Sequence, residues 1–516
     1  MASMISMPLD EYFKLHPTKL KLLVGVVMLA TIMQALDNTI ANVALPHMQG
    51  SMNASQDQIS WVLTSYMIAS AIGMALTGFL TARMGRTRLF FVSIVGFTIS
   101  SMLCGAAQSL PQIVVFRLLQ GLSGACLVPL SQTIMMDAFP REKFGPAMSM
   151  WGMGVMLGPI FGPVIGGWLT ENYNWRWVFF INAPIGVVTA IGLLWLLPET
   201  SRNRSHHFDL RGFTFLAIAL TSFQLMLDRG ETLDWFASRE IVVELFIAIV
   251  AFYLFMVHIF TTPKPFVQPK IYRDANFSVG TLLFFVMGMT LFTTMTVLPA
   301  LLQNLMGYPV IETGIALMPR GVATMIAMGI AGRLIGKMDS RLIILIGLVL
   351  TTLALWDMSY FDLNANMWDF TYTGFIQGLG IGIMFPAMNA LAFSTLDPKY
   401  RADSTAMFSL VRSMGSSIGI SAFVAFISQH AQINHALLNE FITPFSRALQ
   451  SLAIDSPWQN APALASEVNR QASMIAYVDA FRLMAYATLS GIPFLLLMSS
   501  GKKAKPPSPE HMVVEA

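Results

Sequence analysis

Leu36-Asp37-Asn38-Thr39-Ile40-Ala41-Asn42-Val43-Ala44-Leu45-Pro46 closes the first long apolar run of a 516-residue chain. The run covers roughly 22–44, the length at which an α-helix crosses hydrocarbon. An ionisable carboxyl and two amides stand where apolar side chains are expected. A carboxylate at the centre of a membrane helix costs about 2.5–3.5 kcal/mol on insertion scales, so Asp37 points to function. The alternative is a structural hydrogen bond between helices.

The composition agrees with a bilayer. Hydrophobic residues make up 55% of the chain and charged ones 11%, against about 25% charged in soluble domains. Mean hydropathy is +0.62. Fourteen apolar runs of spanning length follow one another, at roughly 22–44, 59–82, 89–108, 112–136, 146–169, 176–198, 211–228, 239–260, 277–303, 309–332, 342–360, 369–394, 402–426 and 479–499. Continuous runs lack the alternation of a barrel, and only helices or closed barrels satisfy the backbone in lipid. The expected fold is all-α and polytopic.

The basic residues set the topology. Segments 1–21, 83–88, 137–145, 199–211, 261–276, 333–341, 395–401 and 500–516 hold 22 of the 31 Lys and Arg. Arg176, Arg229, Arg239, Arg447 and Arg470 fall on the opposite side, and Arg117, Arg320, Arg412 and Arg482 lie within apolar runs. The positive-inside rule then puts both termini in the cytoplasm, which requires an even number of spans. The first run reads as a span rather than a cleaved signal. Cys104 and Cys126 fall within apolar runs, arguing for buried thiols. No clustered nucleophile, metal-ligand spacing or phosphate loop is visible, so enzyme chemistry lacks support. Nothing in the charge distribution suggests a nucleic-acid partner.

The chain repeats itself. Gln120-Gly121 with Pro129 matches Gln377-Gly378 with Pro386, and Gly78-x-Leu80 with Arg83-Met84 matches Gly332-x-Leu334 with Lys337-Met338. Gly158 and Gly162 match Gly415 and Gly419, and Leu45-Pro46 matches Leu298-Pro299. The near-constant offset implies two six-helix halves, 1–198 and 277–500, with a two-helix insertion and linkers at 199–276 and a tail at 501–516. Asp37 maps onto Thr290, so the second half lacks the acid.

Helix five reads Gly154-x-x-x-Gly158-Pro159-x-x-Gly162-Pro163-x-x-Gly166-Gly167. Gly at a spacing of four opens a groove for another helix backbone, and the prolines weaken the helix into a bend or hinge. Between helices two and three, Gly78 and Gly85-Arg86 belong to a basic loop that anchors the cytoplasmic face. Arg117, one turn into helix four, reaches the depth of Asp37, so an ion pair is expected, with snorkelling of Arg117 as the alternative.

These motifs resemble the major facilitator superfamily, and within it the fourteen-helix drug:proton antiporter group of the EmrB/QacA type, closest to the EmrB branch. The resemblance rests on Leu36–Pro46, the Arg117…Gly121 motif, the Gly-Pro motif of helix five, Trp175–Gly186, Leu227-Asp228-Arg229-Gly230 and Arg412-x-x-Gly415-x-x-x-Gly419. It departs at Ala82, where the superfamily's loop motif usually has Asp. The resemblance implies a non-enzymatic, proton-coupled antiporter in the inner membrane that exports hydrophobic or amphipathic compounds, with the proton gradient and no cofactor as energy source. It implies Asp37 and Arg117 in proton coupling. It also implies a periplasmic adaptor protein and an outer-membrane channel as partners, contacted through the outer loop 427–478, which reads as an amphipathic hairpin.

Gln34, Asn38, Asn42, Tyr66, Gln120, Arg320, Asn389 and Arg412 are the expected cavity residues. Arg320 and Arg412, near mid-helix, call for water, a carboxylate or a substrate anion. Export of a lipophilic acid such as a fatty acid is therefore the alternative substrate reading. An importer of small solutes and a lipid-modifying membrane enzyme are the remaining alternatives.

Overall fold

A computed structural model describes residues 9–140, 143–198, 208–263, 265–397, 400–441 and 461–499. Among them, fourteen helical segments are long and apolar enough to cross a membrane. They are α1 (Pro17–Met52), α2 (Gln56–Met84), α3 (Arg86–Ala106), α4 (Leu110–Ala138), α5 (Phe144–Asn172), α6 (Trp177–Leu196), α7 (Leu210–Arg229) and α8 (Arg239–Thr261). The second series is α9 (Ala275–Leu305), α10 (Val310–Leu334), α11 (Ser340–Met358), α12 (Met367–Ala392), α13 (Arg401–Glu440) and α14 (Ala461–Leu489).

Local chemistry explains the ends of these helices. Ser55 and Gln58 form a reciprocal capping box at the start of α2, and Asn366 with Asp369 does the same for α12. Gly85 alone joins α2 to α3, at φ +84° and ψ 149°. That backbone region is essentially restricted to glycine, so the sharp reversal depends on this residue. Arg176 donates to the Gly105 carbonyl at 2.8 Å and also to that of Ala107, closing the outer end of α3.

Several expected details change. The fourth span is two segments, Leu110–Gly124 and Leu127–Ala138, broken at Ala125–Cys126. Pro159 and Pro163, expected at a bend or hinge, lie inside a helix that runs unbroken from Phe144 to Asn172. The segment expected as an outer loop at 427–478 is helical over most of its described length: α13 continues to Glu440, and α14 begins at Ala461 instead of 479. The two helices pack against each other, and residues 442–460 of the expected hairpin lie outside the described residues.

Glycines position the helices around the site. Built onto Gly158, a Cβ would lie 2.3 Å from the backbone of Ala35; on Gly162 it would lie 2.0 Å from Thr39 Oγ1, and on Gly166 2.8 Å from Ile40. α1 therefore lies directly in the glycine groove of α5. The second half repeats the arrangement, with Gly415 and Gly419 of α13 against Phe285 and Met289 of α9.

The halves meet at their cytoplasmic ends. Gly78 abuts Asp403, Gly145 abuts Ile335, and Ser149 abuts Gly332. Asp137 at the end of α4 pairs with Arg86 of its own half and with Arg401 of the other. Deeper in, Gln132 donates to Asn389 at 2.6 Å, Thr133 and Thr405 share a hydrogen at 2.8 Å, and Trp151 stacks on Phe385. This is a cytoplasm-closed arrangement. The insertion touches both halves near its outer end: Thr64 of α2 bonds Asp228, and Ser421 of α13 donates to the Leu227 carbonyl at 2.6 Å.

Candidate functional site

Asp37 has no exposed surface. Three side chains from two other helices donate to it, and Ser101 of a third helix supports one of them. Arg117 Nη1 of α4 donates to Oδ2 at 2.7 Å. Gln120 Nε2, one turn along the same helix, donates to Oδ1 at 2.8 Å, and Asn182 Nδ2 of α6 donates to the same oxygen at 3.0 Å. Asn182 also donates to Ser101 Oγ of α3 at 3.0 Å, and Ser101 in turn to the Phe179 carbonyl at 2.8 Å. Asn182 and Ser101 hold each other in place within α6 and α3.

Arg117 is equally enclosed, with 1% of its surface exposed. Its Nε donates to the Val62 carbonyl at 3.0 Å and its Nη1 also to Gln120 Oε1 at 2.9 Å. The guanidinium lies 4.2 Å from the centroid of the Tyr66 ring, a cation–π contact. Burying two charges costs several kcal/mol per ion unless each is paired and hydrogen-bonded. Here both are, so the pair is tolerated. Removing either partner leaves an uncompensated charge, a change on the order of 3–5 kcal/mol. A proton on Asp37 would cancel one charge and turn one acceptor oxygen into a donor, which this set of donors does not accommodate. The arrangement can thus report on protonation by rearranging.

The expected cavity residues separate into groups. Tyr66 and Gln120 belong to the Asp37 network and do not line open space. Gln34 is buried and accepts from the Val128 backbone N–H at 3.1 Å. Asn389 is buried at the inter-half floor. Asn38 and Asn42 are exposed. They share a face of α1, four residues apart, flanked on one side by the Asp37 face and on the other by Ala35 and Thr39 against α5. Arg320 is buried, and the one hydrogen bond of its guanidinium among the described residues runs from Nη2 to the Leu291 carbonyl at 3.4 Å. Arg412 is half-buried, with its backbone against Gly288. Neither arginine has an acidic partner among the described residues.

The conformational residues lie at helix contacts. Gly78 meets α13, Gly85 forms the α2–α3 reversal, and Arg86 reaches Asp137. Gly154 faces Met28 at an ordinary 3.4 Å, while Gly158, Gly162 and Gly166 press on α1. Pro159 and Pro163 sit between them, and Gly167 has a nearest neighbour at 3.9 Å. Sequence reasoning assigned no role to Asn182, Ser101, Asp137, Gln132 or Arg401. The usable signal was an Asn within an apolar run, costly unless bonded.

The major facilitator superfamily profile matches residues 27–420. The multidrug export protein EmrB of Escherichia coli (strain K12) is 34% identical over 491 residues, covering 93% of this chain and 94% of the relative. The fatty acid resistance protein FarB of Neisseria gonorrhoeae is 32% identical over 491 residues, covering 93% and 95%. In fold, the chain is similar to the human organic anion transporter TETRAN, at a TM-score of 0.59 and 14% identity, covering 91% of this chain and 99% of that one.

Proposed function

Because the chain belongs to the major facilitator superfamily, we propose that it is a proton-coupled antiporter that exports hydrophobic and amphipathic compounds from the cytoplasm. It is a multi-pass protein of the cytoplasmic membrane. The observation that carries the reading is the sealed Asp37–Arg117 pair, 2.7 Å apart. A buried carboxylate whose bonds must be rearranged on protonation can tie proton uptake to a change of shape.

The route for that change runs through packing. Asp37 stands between Ala35 and Thr39, the residues that press into the α5 groove. α5 in turn packs on the second half through Gly145 against Ile335 and through Ile160 against Gly321. A shift of α1 when the Asp37 network loosens is therefore felt by the contact between halves. Asn38 and Asn42 present polar groups to the space on the other face of α1. Each charge moved across 100 mV yields about 2.3 kcal/mol, enough for one or two protons to support a considerable gradient of substrate.

The outer extensions of α13 and α14 support a partner reading. A helical pair reaching Glu440 and starting again at Ala461 offers a docking element for a periplasmic adaptor protein, and through it an outer-membrane channel. Co-purification of a single-span adaptor, lost on deletion of 427–478, tests that part.

The central test uses proteoliposomes with an imposed pH gradient and an apolar dye. Asp37→Asn keeps the amide contacts and removes the charge. It is expected to abolish dye-dependent proton release and, because Arg117 is left unpaired, to lower the melting temperature, with retained dye binding as the check that the chain is folded. Full proton-coupled export by Asp37→Asn sinks the assignment.

A further inference from the structure

The two halves treat the same place in opposite ways. Gly121 and Gly378 are equivalent in the repeat, and each presses on one backbone carbonyl: Gly121 on that of Tyr66 at 2.5 Å, Gly378 on that of Arg320 at 2.2 Å. Tyr66 and Arg320 are therefore equivalent positions, on α2 and α10. By the same offset, Arg117 corresponds to Gly374, and a Cβ built on Gly374 lies 3.6 Å from the Arg320 side chain. The cation has changed helix but kept its place. In the first half it stands on α4 above an aromatic ring; in the second it stands on α10 beside a glycine.

The acid has not been kept. Gln120 donates to Asp37, whereas its counterpart Gln377 donates to Thr294 Oγ1 at 3.2 Å. The sequence repeat maps Asp37 onto Thr290, one turn earlier on α9, and among the described residues its hydroxyl bonds Thr488 Oγ1 and the Val286 carbonyl. Either way a neutral threonine replaces the carboxylate. Arg320 is 5% exposed, and its guanidinium keeps one bond, at 3.4 Å, among the described residues. Gln377 Oε1, whose equivalent accepts from Arg117, is buried with no partner among the described residues. An unpaired guanidinium in this setting is expensive, and a second cation, Arg412, lies on α13 against the same stretch of α9.

We propose that the second half contains an anion site centred on Arg320, the acid-less counterpart of the Asp37–Arg117 site, and that the carboxylate of an amphipathic substrate fills it. The guanidinium fork suits a planar carboxylate held through two parallel hydrogen bonds. The Gln377 amide, turned over, presents its N–H groups to the same anion. The proposal rests on the exporter reading and gives it a substrate class. A free inorganic anion such as chloride shares the chemistry, so the experiment separates the two.

The test is equilibrium binding to the full-length chain in detergent, with no gradient applied, so its outcome does not depend on proton coupling. The probes are 11-(dansylamino)undecanoic acid, its methyl ester and sodium chloride. Arg320→Met is expected to weaken the acid at least tenfold and to change the ester by less than twofold, with Arg320→Lys between. Thr294→Asp supplies an internal carboxylate next to the Leu291 carbonyl that Arg320 reaches. It is expected to abolish the preference for acid over ester while retaining the melting temperature. If wild type binds acid and ester equally, or Thr294→Asp keeps the preference for the acid, the proposal is overturned. Displacement of the acid by millimolar chloride assigns the site to a free ion and overturns the substrate part.

Discussion

Replacing Gly158 with alanine tests how closely the site depends on the fit of α1 in the α5 groove. The new Cβ would lie 2.3 Å from the backbone carbon of Ala35 and 2.4 Å from its Cβ. Contacts below 3.4 Å are rare for real Cβ atoms, so α1 must retreat by roughly 1 Å, since backbone cannot swing aside as a side chain does. Overpacking of this kind costs about 1–3 kcal/mol. The larger effect is on Asp37, two residues from the contact. Asp37 lies on the opposite face of α1, about 200° round the helix from Ala35. A retreat of about 1 Å therefore drives its carboxylate onto Arg117, Gln120 and Asn182, whose bonds already stand at 2.7–3.0 Å, and those partners must give way. Gly167→Ala, whose Cβ would meet its nearest atom at 3.9 Å, is the matched control. In thermal unfolding of the purified protein and gradient-driven dye export, Gly158→Ala is expected to lose melting temperature and most export, and Gly167→Ala neither. Wild-type behaviour of both variants would refute the claim that the groove sets the geometry of the acid.

Three further outcomes are expected. Arg401→Gln removes the cross-half partner of Asp137 and shifts the protein away from the cytoplasm-closed arrangement; a cysteine placed at Met328 then reacts faster with a thiol reagent added from the cytoplasmic side. Gly85→Ala, at φ +84°, costs on the order of 1–3 kcal/mol through backbone strain alone, and a lowered melting temperature checks it. Asp209 caps α7 by accepting from the Gly212 N–H, and it also accepts from Phe266 N–H and bonds His258. Burial opposes its ionisation, but these bonds outweigh it and hold the carboxyl below its usual range. A lowered folded pKa means stability present at neutral pH and lost as the pH falls below the ordinary carboxylate value, about 3.9. Melting temperatures of wild type and Asp209→Asn should therefore differ at pH 7 and converge in strong acid.

The fold was legible because hydrocarbon permits few solutions. Fourteen runs, their charge alternation and the repeated Gln-Gly and Gly-x-x-x-Gly spacings locate the spans without any contact information. Asp37 and Arg117 were legible for the same reason: an ion inside a membrane helix is conspicuous. What sequence could not show was how a helix distributes adjacent polar residues. Asp37 and Asn38 are neighbours in the chain, yet about 100° of helix rotation sends one into the bundle and leaves the other exposed. Asn182 lies 145 residues from Asp37, and no local pattern announces their meeting. Asp137 takes its meaning from Arg401, 264 residues away in the other half, which no local pattern brings to it. The extent of α13 and α14 was hidden because their outer turns are polar, and a hydropathy pattern ends where the hydrocarbon does.

The enclosure of Asp37 has a bearing on the cell's energetics as well as on the protein's shape. A carboxylate with no exposed surface cannot take a proton from water on one side of the membrane and release it to the other while the chain stays in this arrangement. Proton passage would require the bundle to open, and the bundle is held by Asn182, Gln120 and Arg117 together. The closed network is therefore electrical insulation: a chain at rest does not short-circuit the gradient that the rest of the membrane's machinery depends on.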